Sequence, residues 1–164
     1  MNRAVIAFGA NLGDREATIG EAVRELADTE GIALVAVSPV YETAAIKPDG
    51  VDHDAPGYLN GIVIVETVLD PERLLARLHE VEAAFGRERA ERWGDRTIDL
   101  DLIDVGGLVI APEAPGGLEL PHPRAHERAF VLQPWLDIEP DATLPGRGPI
   151  GALRAAASDT VVRR

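Results

Sequence analysis

The chain has 164 residues, with 28 acidic against 16 basic side chains, a formal net charge of −12 and no cysteine. That length suits one domain with its own core, residues 1–164, and 46% hydrophobic with 27% charged residues excludes global disorder. The missing cysteine excludes disulfides, a thiolate nucleophile and a Cys-type zinc site, and the acidic balance excludes a surface that coats nucleic acid.

Strand and helix patterns alternate along the chain. Residues 5–8 form a short apolar run broken by Gly9, predicting a buried strand. Asp14 can cap a helix in which Ile19, Ala22, Val23, Leu26 and Ala27 recur at helical spacing. Residues 32–37 read as a strand that stops at Ser38-Pro39. Residues 43–57 contain Lys47, Pro48, Asp49, Gly50 and Pro56 and predict a long loop. Residues 58–67 are a strand around Ile62, Val63, Ile64 and Val65. Asp70-Pro71 opens a helix with Leu74, Leu75, Leu78, Val81 and Phe85 on one face, ending at Gly86.

After a polar loop, residues 98–105 alternate as a strand, Gly106-Gly107 turns, and residues 108–110 are expected to return as a hairpin. Residues 129–136 are apolar but interrupted by Pro134, and residues 150–157 predict a short helix. The opening order, β-α-β-β-α-β, predicts an α+β, ferredoxin-like core: an antiparallel or mixed sheet with helices on one face. No apolar run is long enough to cross a bilayer and the first residues lack a signal-peptide pattern, so the expectation is cytoplasmic, without membrane or nucleic-acid partners.

Lys47 is the only lysine and sits in no phosphate-loop motif, so any phosphate chemistry must lean on arginine, metal and backbone. Arg87, Arg89, Arg92 and Arg96 concentrate in one stretch of an otherwise acidic chain. Asp99 and Asp101 follow at once. In a strand they share a face, roughly 6–7 Å apart, while Ile98, Leu100 and Leu102 fill the other. Two carboxylates so spaced can flank a pair of hard cations such as Mg²⁺, and guanidinium forks bind phosphate. A solvated strand face with paired surface charges is the bland alternative.

Three further strings carry polar groups in special settings. GANLGD, residues 9–14, is a small-residue turn between strand and helix and lacks the dinucleotide glycine pattern. LPHPRAHERAF, residues 120–130, holds His122 between two prolines that stiffen it; its H-x-x-x-H spacing lacks a third ligand and a helix. GYLN, residues 57–60, offers Tyr58 as a strand aromatic or a stacking face and Asn60 as an amide edge.

GANLGD, SPVYET, GYLN, GRERAERWGDRTIDLDLI and LPHPRAHERAFVLQPWLDIEP, in that order over residues 9–140, together resemble the 6-hydroxymethyl-7,8-dihydropterin pyrophosphokinase family. The resemblance implies a ferredoxin-like fold with an added C-terminal hairpin and short helices. It also implies transfer of pyrophosphate from MgATP to the pterin hydroxymethyl group, releasing AMP, in folate biosynthesis. By position, Asp99 and Asp101 match the pair holding two Mg²⁺ ions, and Arg87 and Arg96 match arginines on the phosphates. Together these four form the implied catalytic set. Arg89 matches an arginine of a mobile loop closing over ATP, Trp93 a tryptophan of the same loop, His122 an ATP-contacting histidine and Glu82 a helix residue near the nucleotide. Tyr58 and Phe130 match aromatics that sandwich the pterin, with Thr43, Ile46 and Asn60 at its polar edge and Arg128 beside it. The expected partners are ATP and the pterin, bound by a monomer. Asp95 stands where the family usually has proline, which bears on closure of the loop over residues 87–94.

Two other readings compete. An inert nucleotide- or pterin-binding module would keep the aromatic pair without the carboxylate pair. A generic D-x-D transferase would not carry a Tyr58/Phe130 slot.

Overall fold

The central strands carry apolar side chains on both faces, and this decides the layering. The computed structural model describes residues 1–11, 14–43, 45–47, 50–52, 57–86 and 98–164. Its elements are β1 (Asn2–Ala10), α1 (Arg15–Ala27), β2 (Ile32–Val37), β3 (Tyr41–Thr43), β4 (Ala45–Lys47), β5 (Gly50–Asp52), β6 (Tyr58–Thr67), α2 (Pro71–Gly86), β7 (Ile98–Val105), α3 (Ala129–Ile138), β8 (Thr143–Leu144), β9 (Gly148–Pro149), α4 (Ile150–Ala156) and β10 (Val162–Arg163). The helix starts are those the capping residues dictate: the Ala17 amide donates to Asp14 Oδ1 at 3.1 Å, and the Arg73 amide to Asp70 Oδ1 at 2.9 Å.

β1 pairs antiparallel with β6 on one side and β7 on the other. β2 and β3 share the far edge of β6, and β10 pairs with β3. Between β2 and β3 the edge bends at Ser38-Pro39. Pro39 has no N–H for the ladder, and Ser38 compensates: its N–H donates to the Ile62 carbonyl at 2.9 Å and its Oγ accepts the Ile62 N–H at 2.8 Å.

On one face Ala4, Ile6, Phe8, Val63, Val65, Ile98, Leu100 and Leu102 form a core with Ile19, Ala22 and Leu26 of α1 and Leu74, Leu78 and Val81 of α2. Gly61 makes room there for the Phe8 ring, because a Cβ on it would stand 2.2 Å from Phe8 Cζ. On the other face Val5, Ala7, Ile62, Ile64 and Ile103 form a second core with Val131, Leu132 and Trp135 of α3 and Ile150 of α4.

Four expectations change. Helices cover both faces of the sheet, since Val5, Ile62, Ile64 and Ile103 are too apolar to leave facing water. Residues 43–57, expected as a loop, include the antiparallel β4–β5 ribbon. Pro134 does not end α3; with Val131, Leu132 and Trp135 it is buried, and that burial outweighs the missing donor for the Phe130 carbonyl. The Gly106-Gly107 turn forms with both φ angles positive, at 56° and 76°, but residues 108–110 do not return along β7. Ile110 instead bridges Leu120. The outer edge of β7 is already engaged, with the Ile103 carbonyl accepting the His122 N–H at 2.9 Å. The added hairpin lies later, in β8 and β9.

β7 has a register irregularity opposite Val5 and Ile6, so Ile103 and Val105 enter opposite cores. Asp104, between them, keeps Oδ1 buried without a hydrogen-bond partner among the described residues. Burial raises its carboxyl pKa; the Gly107 N–H opposes this and the charge of Glu139 adds to it. The native state therefore binds this proton more readily than the unfolded chain, and stability is lost as pH rises from 3.8 through the raised value. Asp104→Asn, which cannot ionise, should be more stable than the parent at neutral pH and lose that advantage toward about pH 4; urea midpoints at the two pH values check it.

Candidate active site

The register of three strands brings the polar residues to one end of the second face. Gly9 on β1 lies opposite Asn60 on β6 and opposite Asp99 on β7, and Ala7 lies opposite Ile62 and Asp101. On the outer side of β6, Tyr41 pairs with Asn60 and Thr43 with Tyr58. Asp99 and Asp101 point to this face while Ile98, Leu100 and Leu102 are buried in the opposite core, as the alternation requires. A cavity of about 670 Å³ opens here, lined by Thr43, Tyr58, Asn60, Asp99, Asp101, Arg128 and Phe130, with Ala7, Phe8 and Gly9 beneath and Ser158, Asp159 and Thr160 at one side.

Asn60 is buried, and its Nδ2 donates to Thr43 Oγ1 at 3.1 Å and to the Tyr58 carbonyl at 3.3 Å. Its Oδ1 faces the floor made by Gly9, where an added Cβ would stand 3.3 Å away. The Arg128 guanidinium lies over the Phe130 ring, 5.4 Å from the centroid. That covers one face of a ring that also lines the cavity.

Two contacts on the outer edge of β7 set the carboxylates. Glu82 of α2 accepts the Leu100 N–H at 2.9 Å, holding the backbone midway between Asp99 and Asp101. The His122 N–H bond to Ile103 keeps the histidine beside the same strand. His122 Nδ1 accepts the Arg124 N–H at 3.2 Å, so the neutral ring carries its proton on Nε2. Burial pulls the His122 pKa below the usual imidazole range; Asp101 and Glu119 pull it back, while Arg128 and Arg124 lower it further. The imidazole is accordingly a neutral donor near neutral pH.

Seven sequence-predicted site residues thus line one cavity, and Glu82 and His122 flank the strand that supplies the carboxylates. Ile46 lies on β4, opposite Val51, with its side chain outside the described residues. Arg87, Arg89, Trp93, Asp95 and Arg96, and the loop expected over residues 87–94, also lie outside the described residues. Sequence reasoning missed Gly9 as a floor, because the strand runs through it to Ala10 instead of breaking there. A glycine inside a strand pattern is itself a signal of close approach. It also missed residues 158–160, which carry no local signal. Among the described residues no cluster of three or more His, Cys, Asp or Glu forms. Two hard carboxylates facing a cavity nevertheless fit Mg²⁺, which takes few protein ligands and is completed by water and substrate oxygens.

The antiparallel sheet thus gathers a carboxylate pair, an amide and aromatics in one cleft. The family model for 7,8-dihydro-6-hydroxymethylpterin-pyrophosphokinase matches residues 5–140. A 2-amino-4-hydroxy-6-hydroxymethyldihydropteridine pyrophosphokinase of Methylorubrum extorquens is 42% identical over 146 residues, covering 89% of this chain and 88% of its own. The protein of the same description from Mycobacterium leprae is 44% identical over 156 residues, covering 90% and 78%. Among solved structures, a Plasmodium falciparum HPPK-DHPS superposes with a TM-score of 0.71 over 94% of this chain and 45% of that one, at 15% identity, a likeness of fold. The chain belongs to the 7,8-dihydro-6-hydroxymethylpterin-pyrophosphokinase family.

Gly9→Ala tests the floor. The Gly9 backbone does not need positive φ, so the variant should fold with stability changed by less than about 1 kcal/mol. Its methyl pushes on Asn60 Oδ1 and should weaken binding of a pterin several-fold. Thermal unfolding and calorimetric titration separate the two effects.

Proposed function

We propose that this chain transfers pyrophosphate from ATP to the hydroxymethyl group of 6-hydroxymethyl-7,8-dihydropterin, giving AMP and the pterin diphosphate, a step of folate biosynthesis. The observation that carries the reading is convergence: the Asp99–Asp101 pair and the Tyr58, Asn60 and Phe130 group line one cavity. An inert pterin-binding module has no use for the carboxylates, and a generic D-x-D transferase none for the aromatic slot. The strand order β7-β1-β6-β2, with α1 and α2 on one face, supports a ferredoxin-like core. Residues 1–164 are read as one pyrophosphokinase domain, acting as a monomer in the cytoplasm; among the described residues no helix is long and apolar enough to cross a membrane.

In this reading the pterin ring lies against the rings of Phe130 and Tyr58, with Thr43 and Asn60 meeting its polar edge and Arg128 and Ile46 beside it. Asp99 and Asp101 would hold two Mg²⁺ ions, which when bound neutralise the triphosphate and align its reacting groups. The carboxylates need a fixed strand to do this, and Glu82 supplies it through the Leu100 amide. His122 donates from Nε2 to a phosphate oxygen, and Arg87, Arg89 and Arg96 are assigned to the triphosphate, with Trp93 in the covering loop. The hydroxymethyl oxygen bonds to the β-phosphorus and gives up its proton to solvent, the bond from that phosphorus to the α–β bridging oxygen breaks, and AMP leaves with that oxygen. Arginines stabilise the charge that develops on it.

Incubation with MgATP and the reduced hydroxymethylpterin, followed by nucleotide analysis, should yield AMP one-to-one with pterin diphosphate. ADP or a pterin monophosphate as the main product would refute the assignment. In the same assay Asp99→Ala and Asp101→Ala should fold normally and lose activity by orders of magnitude. Leu100→Ala, on the opposite face, should instead destabilise by roughly 2–5 kcal/mol.

Tyr58→Ala and Phe130→Ala should each weaken pterin binding by roughly 1–3 kcal/mol, the scale of base–aromatic stacking, and leave ATP affinity nearly unchanged. Calorimetry with each ligand alone checks this, and equal losses for both would make the rings supports of the fold.

A further inference from the structure

The cavity has one wall that lies outside the stretch matched by the family model, residues 5–140. After α4 closes, with the Ala157 N–H donating to the Leu153 carbonyl at 3.1 Å, residues 158–160 run along the cavity. The chain then joins the sheet as β10, where Val162 pairs with Glu42 and Arg163 with Tyr41 on β3. Arg164 fastens this end: its N–H donates to the Val40 carbonyl at 2.9 Å, and its guanidinium bridges Glu16 at 2.7 Å and Glu42 at 3.0 Å. Residues 157–164 therefore form a strap anchored on α4 at one end and on β3 at the other.

In the middle of the strap, Asp159 reaches α3. Both carboxylate oxygens accept the Ala129 N–H, Oδ1 at 3.0 Å and Oδ2 at 2.9 Å. Ala129 is fully buried, and Arg128, at the N-cap position, makes no capping bond with its own side chain. The first orphan amide of the helix thus depends on a residue 30 positions downstream. That amide belongs to the residue between Arg128 and Phe130, the stacked pair that lines the cavity.

We infer that Asp159 is a positioning residue for the pterin: held in the cavity wall by the strap, it seats the first turn of α3 and so sets where Arg128 and Phe130 present themselves. The inference rests on the pyrophosphokinase reading. It makes the pterin half of the cavity, and not the carboxylate half on β7, sensitive to residue 159.

The test is steady-state kinetics on the full chain with each substrate varied in turn, beside thermal unfolding. In Asp159→Ala the KM for the pterin should rise about fivefold to tenfold, the scale of losing a helix cap, with the KM for ATP within twofold of the parent. Asp159→Asn keeps an acceptor oxygen and should restore the pterin KM to within about threefold. If Asp159→Ala does not fold, Asp159→Leu, which keeps the side-chain bulk without an acceptor, is held to the same criteria. An unchanged pterin KM, equal rises for both substrates, or an Asn variant as impaired as Ala would each overturn the inference. An inactive parent enzyme would instead refute the underlying function, so the two failures are distinguishable.

Discussion

Gly9 meets Asn60 on one side and Asp99 on the other because β1 pairs antiparallel with β6 and β7 at once. This double pairing is the constraint on which the rest depends. It places an amide and a carboxylate in one row, with no side chain between them, and puts Asp101 two residues further along the same face. A one-residue slip of β7 would turn Asp99 and Asp101 into the α1–α2 core and Leu100 out of it. The apolar face thus enforces the site: burial of Ile98, Leu100 and Leu102 holds the register that aims the carboxylates.

The edges of the sheet are used as fully as its faces. On β7 the outward amide of Leu100 is taken by Glu82 and the outward carbonyl of Ile103 by His122, so the edge is covered and two polar residues are placed by the same bonds. At the opposite edge, β3 continues the line of β2 past a proline, and a tyrosine on it, Tyr41, hydrogen-bonds Asp137 of α3. Burial, and then that bond, raise the Tyr41 pKa, keeping the phenol protonated as the donor. The helix that carries Phe130 is thereby tied to the strand that carries Thr43.

The charge distribution reconciles an acidic chain with polyanionic chemistry. Glu42 is engaged by Arg15 and Arg164, whose hydrogen bonds, the Arg15 bond first, lower its pKa against the opposing effect of burial. Carboxylates of this kind serve the framework. Asp99 and Asp101 differ in position: both line the cavity.

Much of this was legible in the chain itself. Caps at Asp14 and Asp70, the apolar periods of α1 and α2, and the two-residue alternation of residues 98–102 are local patterns, because propensity and burial act over a few neighbouring residues. The alternation of residues 98–102 and the GYLN string also pointed to Asp99, Asp101, Tyr58 and Asn60, and the resemblance of the motif strings to the family added Thr43, Arg128 and Phe130. Only the tertiary structure decided which blocks meet. The Leu120 bridge replaced the hairpin expected at residues 108–110 because an edge was already occupied, and α3 ran through Pro134 because a second apolar face needed covering. Asp159 became part of the cavity through contacts 30 residues away, which no local pattern encodes. Periodicity states which face a residue takes; long-range pairing decides what that face touches.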